Sequence, residues 1–359
     1  MKRRIKSILV ILGICLVLVA CGKKGEQVGT VQITAPMLST LQVDDEELLE
    51  RQNLLTGRND LSVEAVGKRP VAVMVNNVPK ALPQYGVAQA DVIFEIPIEG
   101  DLTRLMALYA DYTKVPKICA IRSCRYYFPA FAKGFDAFYV HWGMDETIRD
   151  YVKGLNIDRF DGMSNPYKLF GRDTARRKSG YALEHTGYFD GTRFAEAMQT
   201  NGKRTELLKE KQGTAFKFYD VGVVKSPQGE VCTKAKIDFG ATTATLVYEE
   251  ESNTYLKEIN GKKHMDGVTG TQLSFTNVFV LETSISVRDE QGHKKVDWQG
   301  TSKGIGYYLS NGHMQKIRWS KASESAYLKF YDETGSEITI NRGKSYIAVN
   351  YAGEAMYNS

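Results

Sequence analysis

The stretch Ile118-Cys119-Ala120-Ile121-Arg122-Ser123-Cys124-Arg125, followed by Tyr126-Tyr127-Phe128-Pro129-Ala130-Phe131-Ala132-Lys133 and then Ala137-Phe138-Tyr139-Val140-His141-Trp142-Gly143, decides the fold. The apolar runs at 118–121 and 137–140 have the length and the β-branched or aromatic content of buried strands. Between them Ser123 is a favoured N-cap residue, and the spacing after it predicts a helix through about Lys133. Strand, helix, strand in that order is a crossover unit, which sets the two strands parallel and side by side.

Outward from this unit, residues 70–75, 91–98 and 102–109 read as further strands, and 146–155 and 190–199 as helices. Residues 65–204 are therefore expected to be an α/β domain with a mixed sheet, weakest in the loop-rich stretch 158–188. The sequence changes character near residue 205. After a linker with an entering strand at 205–236, residues 237–357 carry short segments of strand pattern at 245–248, 255–259, 273–287, 306–309, 314–319, 327–331, 337–340 and 345–350. Asn311-Gly312 stands between two of these segments as a tight hairpin signal, and Thr334-Gly335 marks another turn. The C-terminal half is thus expected to be an all-β antiparallel barrel or sandwich. About 295 residues beyond the N-terminal region exceed the usual size of one core, which argues for two domains.

At the N-terminus, Met1-Lys2-Arg3-Arg4-Ile5-Lys6 is a cationic cluster, and residues 8–20 are largely apolar before Cys21. A membrane span needs about 20 apolar residues, so residues 1–20 read instead as a signal peptide. Leu18-Val19-Ala20-Cys21 fits a bacterial lipobox, with an acyl-type lipid on Cys21 and the chain held at the outer face of the cytoplasmic membrane. Residues 21–64 are polar and weakly patterned. They are expected to form a flexible tether, with one short helix near 45–55, and about 40 such residues have a root-mean-square reach of roughly 35 Å.

Composition excludes several classes. Lysine and arginine total 47 against 42 acidic residues, but four of the cations leave with the signal peptide, so net charge gives no case for nucleic acid. Of five cysteines, Cys119, Cys124 and Cys232 remain after Cys15 and Cys21 are accounted for. They are expected to be buried, unpaired thiols, since Cys119 and Cys124 straddle a predicted strand-to-helix junction. Cys-x₂-Cys spacing with partner histidines is absent, as are phosphate-binding and dinucleotide loops, so neither a metal nor a cofactor is expected.

The crossover points to one site. Parallel neighbours bring both loops to the carboxyl edge of the sheet, where open α/β folds bind ligands. Arg122, Ser123, Arg125 and His141 would converge there, with helix N–H groups and guanidinium groups suited to phosphate or carboxylate. Arg104, Arg172, His185 and Glu95 are candidates to line the same cleft. Each has a plainer alternative: Ser123 as a cap, His141 as a core histidine, Arg104 and Arg122 in a structural ion network, and Arg172, Arg176, Arg177 and Lys178 as a solvated basic loop. A catalytic reading would make Ser123 a nucleophile and His141 its base, oriented by Asp145 or Asp136. No Gly-x-Ser-x-Gly elbow surrounds Ser123. In the C-terminal half, Tyr307, Tyr308, Tyr327, Tyr331, Tyr346, Trp298 and Trp319 either fill a core or form an aromatic binding face.

Several of these runs carry a resemblance when taken together. Asn53-Leu54-Leu55-Thr56-Gly57, Arg69-Pro70-Val71-Ala72-Val73-Met74-Val75-Asn76-Asn77, Pro83-Gln84-Tyr85-Gly86 with Ala90-Asp91, Glu99-Gly100-Asp101-Leu102-Thr103-Arg104, Ile121-Arg122-Ser123 and His141-Trp142-Gly143 resemble the YerB-type lipoproteins of Gram-positive bacteria. Asn277-Val278, the Gly304 and Gly306 pair and the strand with Trp319 extend the resemblance into the C-terminal half. Leu82 stands where the family pattern suggests Arg, and Glu184-His185-Thr186 where it suggests Pro-His-Asn. The resemblance implies a two-domain envelope lipoprotein, linked to wall polymer or to a wall-synthesis protein. The expected role is a non-catalytic binding or scaffold protein. The rival is a hydrolase or transferase acting on an anionic wall polymer.

Overall fold

A computed structural model describes residues 51–301 and 304–358. The signal peptide, Cys21 and the expected tether up to residue 50 lie outside the described residues. Of the remainder, residues 51–55 are not helical, contrary to expectation, and the stretch is not free, because Leu54, Leu55 and Leu61 are buried in the core. Val71-Ala72-Val73-Met74-Val75 is apolar at every position, as a strand covered on both faces must be. It forms the core of β1 (Val71–Asn76), which is buried throughout. β2 (Val92–Pro97) and β3 (Thr103–Tyr109) are likewise fully buried, with β3 antiparallel to both. After β4 (Lys117–Cys119), β5 (Phe138–His141) pairs parallel with β1, and β6 (Arg159–Asp161) parallel with β5. β7 (Phe170–Arg172) and β8 (Gly187–Asp190) complete the strands of this half.

The C-terminal half supplies β9 (Lys234–Asp238), β10 (Thr243–Glu249), β11 (Thr254–Ile259), β12 (Lys262–Lys263), β13 (Ser274–Phe275) and β14 (Asn277–Thr283). It continues with β15 (Ile285–Val287), β16 (Lys294–Val296), β17 (Ile305–Ser310), β18 (His313–Ser320), β19 (Lys329–Tyr331), β20 (Ser345–Tyr351) and β21 (Ala355–Asn358). The Asn311-Gly312 hairpin joins β17 to β18, with both residues at positive φ as such a turn demands. β20 inserts parallel between β2 and β14. One ten-stranded mixed sheet results, ordered β19-β18-β17-β14-β20-β2-β3-β1-β5-β6. A second, antiparallel sheet runs β12-β11-β10-β9-β21, with β13 on β11.

The alternation along β1 shows how the layers stack. Val71, Val73 and Val75 join one core with Ile237, Leu246, Tyr255 and Phe275 of the second sheet. Ala72 and Met74 face the other core, filled by Phe128, Phe131 and Phe135 around α1 (Tyr127–Gly134). The C-terminal half is thus sandwich-like rather than a closed barrel, and the N-terminal half has a mixed sheet with few helices, as its sequence pattern indicates.

Three local expectations are corrected. Residues 118–121 are not the parallel neighbour of β5. β4 belongs to a separate three-stranded sheet, β4-β8-β7, and β1 takes the place beside β5. Ser123 does not cap a helix, because residues 121–124 run extended across the end of β1. The Arg122 N–H donates to the Met74 carbonyl (3.0 Å), the Trp142 N–H to the Arg122 carbonyl (3.0 Å) and the Cys124 N–H to the Gly143 carbonyl (2.9 Å). With its backbone groups committed there, the chain turns helical only at Tyr127. Residues 337–340 make isolated bridges instead of a ladder.

Candidate functional site

The extended run 121–124 lies beside residues 142–144, bridged in parallel at Cys124 and Met144. The two expected loops therefore meet after all, by a route different from a simple crossover. They form the floor of a cleft of about 640 Å³ beyond the carboxyl ends of β5 and β6. Its lining includes four arginines, Arg122, Arg149, Arg159 and Arg172, and three carboxylates, Glu146, Asp161 and Glu184.

Each arginine comes from a different segment. Arg122 is half-buried, pairs with Glu184 at 3.3 Å, and has a buried Nε with no protein partner. Arg149 opens α2 (Arg149–Gly154) and pairs with Glu146 at 2.9 Å. Arg159 starts β6, is exposed, and its side chain has no ion pair or hydrogen bond among the described residues. Arg172 ends β7, donates to the Leu183 carbonyl (2.8 Å), and lays its guanidinium 4.1 Å over the Trp142 ring. Burial and the nearby Arg122 cation push its pKa down. Trp142 fits only because residue 162 lacks a side chain: a Cβ on Gly162 would lie 2.6 Å from the indole.

Asp161 ties the loops together by accepting from the Gly143 N–H (2.7 Å) and the Met163 N–H (2.9 Å). With Arg149 and Arg159 it escaped the sequence reading. β6 is only three residues long inside what reads as loop, and no local pattern marks it.

The remaining predicted site residues sit elsewhere. Arg104 is buried beneath the floor, donates to the Ser123 carbonyl (2.7 Å), and is pushed down to about 9 by burial and the Arg125 cation. Arg125 turns away and pairs bidentately with Glu99, and it adds no charge to the cleft. His185 is buried, with Nδ1 3.1 Å from Asn76 Nδ2. Glu95 is fully buried against Lys257 and does not line the cleft. Arg176 is not part of a solvated loop. It is 1% exposed and donates to the carbonyls of Ala81, Pro83 and His185. Because the helix begins past Ser123, helix N–H groups are not available there, and the arginines must supply the positive field.

Ser123 lines the cleft and His141 does not, and the two make no hydrogen bond to each other. His141 is fully buried, and its Nδ1 lies 2.9 Å from the Gly143 carbonyl oxygen, which must accept. Nδ1 therefore carries the proton and Nε2 is left as a bare acceptor without a protein partner. Burial holds this imidazole toward its neutral form. Asp145 does not stand behind the ring, since it bonds Arg288 (2.6 Å) and lies 3.3 Å from His293. Asp136 is engaged by Arg204 at 2.7 Å. Asp145, Asp289 and His293 bring donor atoms within 4.8 Å of one another, but Arg288 already bridges the two carboxylates. Cys119, Cys124 and Cys232 are buried and unpaired.

A mixed sheet shared by both halves, a second antiparallel sheet and an arginine-walled cleft at the carboxyl edge define a two-part, sandwich-like protein with a polar cleft. Family models described as the N-terminal and C-terminal domains of a protein of unknown function, DUF3048, match residues 55–204 and 235–347. YerB of Bacillus subtilis (strain 168), named as a lipoprotein, is 26% identical over 261 residues, covering 71% of this chain and 74% of that protein. The crystal structure of the YerB protein from Bacillus subtilis superposes with a TM-score of 0.72 at 23% identity, covering 85% of this chain and 99% of that one. The chain belongs to the YerB-type lipoprotein family.

Proposed function

We propose that this protein is held by a lipid on Cys21 at the outer face of the cytoplasmic membrane and binds an anionic envelope ligand in its arginine cleft, without turning it over. The observation that carries this reading is the convergence of Arg122, Arg149, Arg159 and Arg172 on one cleft. Two of the three lining carboxylates already pair with Arg149 and Arg122, so Arg159 and Arg172 remain to face an anion. Guanidinium groups match phosphate and carboxylate in a bidentate way, and Arg172 is held ready by its stacking on Trp142. The ligand class that fits is a phosphate-bearing wall polymer, or an acidic segment of a wall-synthesis protein. A hydrolytic role has less support, because Ser123, His141 and Asp145 are not joined by hydrogen bonds.

The test is calorimetric titration of the soluble protein, begun after Lys24, with a polyglycerol phosphate, beside an Arg159→Ala/Arg172→Ala variant. Each lost charge-assisted contact is worth about 1.5–3 kcal/mol, so the double variant should bind at least about tenfold more weakly. Affinity should also fall as salt is raised. Equal binding by both proteins, or release of polymer fragments, would sink the reading.

A further inference from the structure

We infer that the surface around residues 51–61 docks on the bilayer that carries the lipid of Cys21. This rests on the lipid-anchor reading above and adds to it which face of the folded part meets the membrane.

The first described turn is fastened to the body of the protein. The Asn53 N–H donates to the Arg58 carbonyl (2.7 Å), and the Gly57 N–H to the Asn53 carbonyl (2.8 Å). The Asn53 side chain accepts from the N–H groups of Leu55 and Thr56 and donates to Asp60 and Asp91. The chain leading back to Cys21 therefore leaves from a fixed point. Thirty residues, 21–50, separate that point from the membrane, a contour of at most about 100 Å.

Three segments surround this turn. Residues 62–66 follow it directly. Residues 207 and 208 are brought in by the Leu207 N–H donating to the Gly67 carbonyl (2.9 Å), and Leu207 shares a hollow with Gln52, Leu61 and Val66. The third segment, 215–224, is fixed by the Ala215 N–H to the Leu54 carbonyl (2.8 Å) and by Phe218, whose ring fills the space beside Gly57. Arg342 stitches that contact by donating to the carbonyls of both Gly57 and Tyr219.

These same segments carry the exposed apolar side chains. Val63, Val66, Leu208, Val221, Val223 and Val224 are 37–72% exposed, and they are six of the twelve large hydrophobic residues exposed among the described ones. Arg51, Arg58 and Lys217 stand exposed in the same stretches, balanced by the exposed Asp60, Glu64 and Asp220, so the face carries no net charge that would repel a bilayer. Exposed apolar side chains beside the root of a lipid-anchored chain are what an interfacial membrane contact requires. Such a patch would be too weak to hold a protein alone. Joined to the bilayer by its own chain, it acts at a high effective concentration, so a weak contact suffices to orient the cleft.

The test uses the processed lipoprotein in vesicles of phosphatidylglycerol and phosphatidylcholine, with an environment-sensitive label on single introduced cysteines. The native thiols Cys119, Cys124 and Cys232 are buried, so labelling is selective. Labels on Val66→Cys and Val224→Cys should be quenched about twofold or more by spin-labelled lipid, and labels on the more exposed Val268→Cys and Val287→Cys should not. Each variant's melting temperature, compared with that of the parent, confirms that the fold is kept. Protein that floats with the vesicles but shows equal or no quenching at all four positions overturns the docking face alone, and points the patch to a protein partner. Protein that fails to float overturns the lipid anchor, and this inference with it.

Discussion

The ammonium of Lys257 lies 3.1 Å from a carboxylate oxygen of Glu95, with both side chains wholly buried, so an ion pair joins β11 of the smaller sheet to β2 of the larger one. Tyr346 donates to the same carboxylate at 2.8 Å, while Asn77 and Thr103 donate to its other oxygen at 2.9 and 2.7 Å. Lys257 also contacts His264 at 3.1 Å, and His264 contacts Gln84 at 2.8 Å. Burial pushes the lysine and histidine pKa values down. Every member of the network has a partner, the condition under which buried charge is tolerated. Lys257→Met should cost about 3–5 kcal/mol in urea unfolding, because it strands a buried carboxylate. The Glu95→Gln/Lys257→Met double variant should be less destabilised than the sum of the single changes. Additive losses would show that the two groups act independently.

Glu99 and Arg125 set an acid limit on stability. Burial works to raise the Glu99 pKa, but the Arg125 guanidinium outweighs it and holds the carboxyl at about 2, against an ordinary 4.5. A depressed carboxyl favours the fold above its unfolded value. The pair's contribution is therefore full above about pH 4.5 and fades as pH falls through about 2. Arg125→Ala should lower stability at pH 7 by about 1–3 kcal/mol and flatten the pH dependence between 4.5 and 2. Parallel stability curves for the two proteins across that window would contradict this.

Gly162 tests whether Trp142 positions Arg172. Adding one methyl in Gly162→Ala puts it 2.6 Å from the indole, so the ring must shift. The expected loss is about 1–3 kcal/mol of stability, with weaker anion binding as the guanidinium loses its support. Unchanged affinity in a folded variant would show that Arg172 is positioned without Trp142.

Ser123 separates binding from chemistry. Its hydroxyl makes no hydrogen bond among the described residues, so Ser123→Ala should change stability by less than about 0.5 kcal/mol. Anion affinity should drop by no more than about fivefold, the value of one neutral hydrogen bond. A wall-polymer cleavage activity that vanished in this variant would establish Ser123 as a nucleophile.

Much of the fold was legible. β1, β2, β3, β5, β17 and β18 announce themselves because a strand covered on both faces must be apolar throughout, and a two-residue hairpin needs residues such as Asn311 and Gly312. Arg122, Ser123 and Arg172 were legible as cleft residues because they lie at or near strand ends. Arg159 and Asp161 were not, because a three-residue strand has no period to detect, and Arg149 was not, because a charged residue on a legible helix carries no sign of which neighbour it faces. Arg125 was assigned to the cleft by its place in the crossover loop and Arg104 as a further lining residue, and sequence gives no sign that Glu99 or the Ser123 carbonyl would claim them.

The amino-acid order determined the N-terminal cationic and apolar run ending at Cys21, the mixed and antiparallel halves and the family, since each rests on local pattern. Tertiary structure alone decided that β20 would insert between β2 and β14 and make one sheet of both halves. It alone decided that residues 121–124 would stay extended, and which arginines face the cleft. Those outcomes depend on hydrogen bonds and ion pairs between residues distant in the chain, such as Tyr346 and Glu95, 251 positions apart, and no local propensity encodes a partner at that distance.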